Sequence, residues 1–447
     1  VALLALAIGA CGVLIVSPRP SRSPTGFVLI VLATAAGLLV LREERRGRGP
    51  TLRMVVVAVA LLGLVAVVYP PRGSNDAWTY VMYGRTVAVH HASPYTHVPA
   101  DFPKDPFLYR TGPRWRHTPA VYGPVFAAYA AIGAWMAGNS FLLARLFHQV
   151  LALAALAAVL AVVWRRTRSP AALALIGLHP AIMVSTVNGG HNDLFVGLLI
   201  LVGVVLALSE RPALAGAILG VAACVKITAG LAAVGLAIWY LRERGWTMAW
   251  RFSRWTAAVV VLLYLPVGWV AVTAMGTNKN LMSRASAWQL PRHLLGLDHG
   301  QHVAMGLNRS DVIGVLASVA TACAVLIGIV LAWRLARHGA QEAALLPTAS
   351  YQVGAAYTLP WYSAWALPLA ALRPHSLLTQ LLAIHAGFLA AAYSLPRGLP
   401  ALPWFPDERV MIEYVLPLAI LAAFVLGAWL RARRHPIGDA PPALPQA

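Results

Sequence analysis

Three ionisable side chains sit where an otherwise apolar chain has little reason to keep them. Asp76 ends Pro70-Pro71-Arg72-Gly73-Ser74-Asn75-Asp76, just after the hydrophobic run 54–69. Asp193 ends a second polar stretch, Asn188-Gly189-Gly190-His191-Asn192-Asp193, and Lys226 interrupts the apolar run 212–239. A carboxylate beside an apolar cavity gains enough basicity to take a proton from a hydroxyl. Cations nearby, Lys226 with Arg85, Arg114 and Arg116, suit a phosphate leaving group. Aromatic faces at Trp78, Tyr80, Tyr122, Trp361 and Tyr362 stack on a sugar or line a lipid groove. Together these groups suit transfer of a sugar from a lipid phosphate. Each also has a plainer explanation: a first-turn acid complements the helix dipole, aromatics collect at bilayer interfaces, and a lysine snorkels.

The elements that must position these groups are membrane helices. Of 447 residues, 59% are hydrophobic and 11% charged, and the mean hydropathy is +0.69. Apolar runs recur almost from end to end, each about as long as a spanning helix requires. The chain therefore reads as an all-α polytopic membrane protein with about 12–13 transmembrane helices in one domain, residues 1–435. A tail at 436–447, rich in Pro and Ala, is expected to be disordered. Cys11, Cys224 and Cys323 all lie in apolar runs, which argues for core positions and against a disulfide or metal set. The net charge of +20 comes from arginines scattered over interhelical loops, without a folded basic domain to hold nucleic acid.

The basic cluster 42–48 is cytoplasmic by the orientation rule, so the run 54–69 leads outward and Asp76 opens the first outer loop, 71–118. Ser74 or Asn75 can cap a helix over 76–90 that lies along the membrane surface. Outer-face cations here (Arg85, Lys104, Arg110, Arg114, Arg116) ask for a local anion, a lipid headgroup or a phosphate. The apolar segment that opens at 118–125 and runs to about 137 is expected to lie on or dip into the outer leaflet, which keeps the cluster 165–168 inside. The span 171–187 then delivers His191, Asn192 and Asp193 to the same face as Asp76. The run 212–239, about 28 residues with both ends inside, is too short for two full spans and long for one. Two half-length helices meeting near Lys226 resolve this, and an ionisable group at that depth points to function. One span is expected over 255–275, then a second outer loop, 276–310, whose His293, His299 and His302 lack the carboxylates of a metal site. No metal site or other cofactor is indicated.

In order along the chain, Asp76-x-x-x-Tyr80-x-x-x-Gly84, Ser93-Pro94-Tyr95, Tyr122-Gly123-Pro124, His191-Asn192-Asp193, the Lys226 segment and Pro360-Trp361-Tyr362 resemble the polyprenol-phosphate-dependent glycosyltransferases of the multi-spanning C-type (GT-C) superfamily. The resemblance covers residues 72–372 and is greatest to bacterial mannosyltransferases that build lipomannan and phosphatidylinositol mannosides. It implies an inverting enzyme of the bacterial plasma membrane with its site on the outer face. The donor would be a polyprenyl-phosphate sugar, most simply mannose, and the acceptor a lipid-linked glycan. Asp76 maps onto the catalytic base, Lys226 and the loop arginines onto the phosphate, and Asp193 onto orientation of hydroxyls. An arabinosyltransferase using the same lipid handle is an alternative, and so is a transporter or flippase, which shares broken helices and intramembrane charge.

Overall fold

The computed structural model describes residues 1–17, 23–278, 280–298, 308–395, 407 and 409–433. Lys279, His299, His302 and the tail at 436–447 lie outside the described residues. The elements are helices, beginning with α1 (Ala2–Val16), α2 (Pro24–Arg45) and α3 (Leu52–Val68). Their starts follow local chemistry: the Ser23 hydroxyl accepts from Gly26 N ahead of Pro24, and Thr51 accepts from Met54 N. Next come α4 (Asp76–Ala88), α5 (Pro124–Ala137), α6 (Phe141–Thr167) and α7 (Pro170–Gly177). A break at Leu178-His179 separates α7 from α8 (Pro180–Ile182), which runs into a π-helical turn, Met183–Asn188. That pair, expected as one span over 171–187, is bent by 49°.

The second half contains α9 (Asp193–Leu208), α10 (Pro212–Val225), α11 (Gly230–Glu243), α12 (Trp246–Tyr264) and α13 (Val270–Met275). It continues through α14 (Gln289–Leu294), α15 (Arg309–Leu335), α16 (Ala340–Gly354), α17 (Ser363–Ala370), α18 (Leu377–Ser394) and α19 (Leu416–Arg433). The predicted break at Lys226 is present, since α10 and α11 are separated by Lys226 and a 3-10 turn, Ile227–Ala229. The single span expected over 255–275 is instead two helices, because Pro266 and a positive-φ Gly268 (+71°) stop α12. Among the described residues five helices are long and apolar enough to cross a bilayer, six with the bent pair, and other apolar helices such as α3, α5, α9 and α10 are shorter. The all-α polytopic class stands. The expected 12–13 spans would require short helices to cross as well.

Hydrogen bonds sort the helix ends into two groups. At one end Arg72 Nε donates to Ile15 O at 3.2 Å, Asn188 Nδ2 to Ala66 O at 2.9 Å, and Arg145 Nη1 to Val67 O at 2.9 Å. At the other, Ser169 Oγ donates to Glu44 at 2.6 Å, Arg242 to Trp333 O, and Arg431 and Arg373 to Glu342. The first holds the polar stretches around Asp76 and Asp193; the second is the basic end. Because α6 starts at the first end and finishes at the second, α5 before it does not cross and return.

The helix expected along the membrane surface forms at α4, but residues 77–86 are all buried. It packs so closely on α5 that a Cβ at Gly84 would lie 2.1 Å from Ala130 O. Small residues permit that approach, as in membrane helix pairs generally.

Candidate active site

The start of α4 is set by Asn75 at the cap and by Ser74, whose hydroxyl accepts from Asp76 N at 3.1 Å. This leaves the Asp76 side chain 16% exposed, with Oδ2 3.7 Å from His191 Nδ1. That separation is electrostatic contact, too long for a hydrogen bond. Burial pushes the Asp76 carboxyl up from 3.8 to about 6, with Asp193 adding to the rise and Ser74 and Lys226 opposing it. A base poised there is ionised at neutral pH yet retains useful basicity.

His191 lies in the turn between the π-helical segment and α9, where Gly190 adopts φ +67°. Its ring stacks on Trp361 at 3.8 Å and 18°. Tyr80 Oη lies 3.4 Å from His191 Nδ1, and Tyr122 Oη donates to Tyr80 Oη at 3.3 Å. Two residues on, Asp193 is fully enclosed: its Oδ1 accepts from Lys226 Nζ at 2.8 Å and from Trp365 Nε1 at 2.7 Å. The Lys226 ammonium also sits over the rings of Tyr362 (4.3 Å), Trp365 (4.7 Å) and Tyr122 (5.6 Å). The lysine at the helix break is thus desolvated but paired, by a carboxylate and by aromatic faces. Gly123 N donates to Val225 O at 3.1 Å, which docks the start of α5 on the same break.

One centre therefore gathers Asp76, Tyr80, Tyr122, His191, Asn192, Asp193, Lys226, Trp361 and Tyr362. Two of the three arginines named with them are elsewhere. Arg85 spends its guanidinium on both oxygens of Asp105 (3.0 and 2.7 Å), on Gly138 O (2.6 Å) and on Asn139 Oδ1 (3.1 Å). Arg116 donates to Thr111 O at 3.1 Å and Tyr109 O at 2.9 Å. Both fold the first loop, so the local anion sought for Arg85 is Asp105, itself shared with His90 at 2.8 Å. Arg114 differs: its charge, like that of Asp76, acts on Tyr357, beside Tyr362. Trp365 escaped the sequence reading, although Tyr362 and Trp365 at i,i+3 announce a shared helix face. In the second loop Asp298 takes His293 at 2.6 Å and Arg409 at 2.7 Å, an ion-pair tie to the segment that leads into α19.

A partly exposed acid, an enclosed ion pair and stacked aromatics, held at one end of a helical membrane bundle, define a multi-spanning protein with a polar, aromatic-lined centre. Comparison with known proteins gives the family. Residues 18–242 match the family model described as Alpha-(1->6)-mannopyranosyltransferase, N-terminal domain. Alpha-(1->6)-mannopyranosyltransferase A of Mycobacterium tuberculosis is 26% identical over 379 residues, covering 77% of this chain and 72% of the relative. Alpha-(1->6)-mannopyranosyltransferase B of Corynebacterium glutamicum is 25% identical over 450 residues, covering 91% and 72%. The A protein of the same organism is 28% identical over 167 residues, 36% and 34% of the two chains. The chain belongs to the alpha-(1->6)-mannopyranosyltransferase family. Membership makes it a mannosyltransferase, and leaves the arabinosyl and transporter alternatives without support.

Proposed function

We propose that the chain transfers mannose from a polyprenyl phosphate to a hydroxyl of a lipid-linked glycan on the outer face of the plasma membrane, with Asp76 as the base. The observation that carries this reading is the contrast between the two acids. Asp76 is 16% exposed and poised near pH 6, whereas Asp193 is sealed and committed to Lys226 and Trp365. Only the first can meet an acceptor hydroxyl.

In the proposed step Asp76 takes the proton as the acceptor oxygen attacks the anomeric carbon. The bond from that carbon to the phosphate oxygen breaks on the opposite face, and the phosphate leaves with the electron pair. Lys226 and Arg114 supply the positive potential for that charge. Tyr80 and Tyr122 border the sugar, while Trp361 and Tyr362 form its aromatic wall. A single displacement inverts configuration, so an alpha-linked product calls for a beta-linked donor. The family's 1→6 linkage makes the acceptor group a primary hydroxyl, the least crowded on a hexose.

The test is transfer of radiolabelled mannose from polyprenyl-phosphate-mannose to lipid acceptors, in membranes with native protein or Asp76→Asn at matched expression. The expected result is lipid-linked product from the native protein and a drop of about 10²–10⁴-fold in the Asn variant. Equal product from both would remove Asp76 from this role. Transfer from a sugar nucleotide but not from the lipid donor would overturn the donor assignment.

A further inference from the structure

The turn His191-Asn192-Asp193 carries buried polar atoms that the described chain does not satisfy. His191 Nε2 and Asp193 Oδ2 have no hydrogen-bond partner among the described residues, and the Asn192 amide has the Tyr129 hydroxyl beside it without a well-formed hydrogen bond, although the three residues are only 1%, 4% and 0% exposed. About nine in ten buried polar groups find a partner in native proteins, so three successive residues with unpaired atoms call for an explanation. They are not loosely placed. A Cβ at Gly189 would lie 2.3 Å from Ser185 O, Gly190 holds a positive φ, and the His191 ring is stacked on Trp361.

The neighbours on either side say what belongs there. Next to His191 Nδ1 is Asp76 Oδ2; on the other flank Asp193 Oδ1 holds Lys226. An in-line displacement puts the base and the cation facing the leaving phosphate on opposite sides of the reacting sugar. The residues between them border that sugar.

We propose that this turn is the hydroxyl-recognition subsite for the donor's sugar ring. His191 Nε2 accepts a hydrogen bond from a ring hydroxyl. The Asn192 amide, with a donor and an acceptor side by side, meets a neighbouring pair of hydroxyls. Discrimination follows because an analogue lacking one hydroxyl leaves a buried group unpaired. The proposal rests on the donor and base assigned above.

It is tested by measuring kcat/KM for polyprenyl-phosphate-mannose and its 2-, 3-, 4- and 6-deoxy analogues, with native protein, Asn192→Ala and His191→Phe. The phenylalanine keeps the stack on Trp361 and deletes the ring nitrogens, so it carries the test if the alanine variant fails to fold. The native protein should lose about tenfold or more on specific single-hydroxyl deletions. Each variant should lose little further with the analogue lacking its own hydroxyl partner. Equal loss with every donor analogue would overturn the subsite, as would penalties that appear only with deoxy acceptors. If the native protein transfers from no polyprenyl-phosphate donor but does from a sugar nucleotide, the donor reading itself fails.

Discussion

At the scale of single residues, the value of Asp76 to the reaction is also a cost to the fold. Its carboxyl is pushed up from 3.8 to about 6, so the folded state binds the proton more tightly than the unfolded chain. Ionisation therefore destabilises the fold; the penalty is absent below about pH 4 and complete above about pH 6. Asp76→Asn should be more stable than the native protein at pH 7.5 by about 2–3 kcal/mol, with the gap closing towards pH 4. Thermal unfolding in detergent at several pH values reads this, and a pH-independent gap would contradict it. Native activity should rise with pH through an acidic limb near 6, and the limb should be missing from residual Asn-variant activity. The buried pair obeys different arithmetic. Removing one partner, as in Lys226→Met or Asp193→Asn, strands the other and should cost about 3–5 kcal/mol. The double variant Lys226→Met/Asp193→Leu should recover most of that stability and none of the activity. A double variant as unstable as the singles would show that the pair is not the source of the loss.

The elements serve the site mainly by being broken at the right places. Lys226 is reached because α10 stops at Val225, and α5 docks there through a glycine: a Cβ at Gly123 would lie 2.1 Å from Cys224 O. Gly123→Ala should therefore cost about 1–3 kcal/mol or more and most of the activity. Gly230, the first residue of α11, has nothing within 4 Å of an added Cβ, so Gly230→Ala should be neutral or stabilising by up to about 1 kcal/mol. Unfolding midpoints and transfer rates of the two variants separate docking from a general intolerance of substitution. The Lys226 break was legible because about 28 apolar residues fit neither one span nor two. Helix α18 is visible from its composition: Leu377–Ser394 is mostly apolar, with few polar residues, behind a serine cap. The burial of α4 was not legible, since its periodicity does not reveal that α5 folds over it. Nor were the true partners of Arg85 and Asp193. Asp105 lies 20 residues beyond Arg85, and Trp365 lies 172 beyond Asp193. Residue type alone announces a charge needing a partner, and only the packing of distant helices decides which one arrives.

For the whole molecule, the issue is which way the bundle faces. The end opposite the site collects the basic helix termini: Arg42 and Arg45 of α2, Arg165 and Arg166 of α6, Arg242 of α11, Arg334 of α15, and Arg431 and Arg433 of α19. The rule that arginines in short loops stay on the cytoplasmic side would turn the Asp76 end outward, which is the orientation the proposed outer-leaflet acceptor requires. Helix α5 is the sensitive point. If it crossed, the first loop and the start of α6 would face opposite sides, and Arg145 could not reach the carbonyls that end α3. Cysteine accessibility tests both statements in a Cys323→Ser background, since Cys11 and Cys224 are already buried. In intact cells, a membrane-impermeant maleimide should label Lys104→Cys, before α5, and Asn139→Cys, after it. Glu243→Cys, at the end of α11, should react only after permeabilisation. Labelling at 104 without 139 would make α5 a crossing helix and break the link between α6 and α3. Labelling of Glu243→Cys in intact cells, with 104 and 139 protected, would reverse the bundle and put the mannosyl acceptor on the cytoplasmic side.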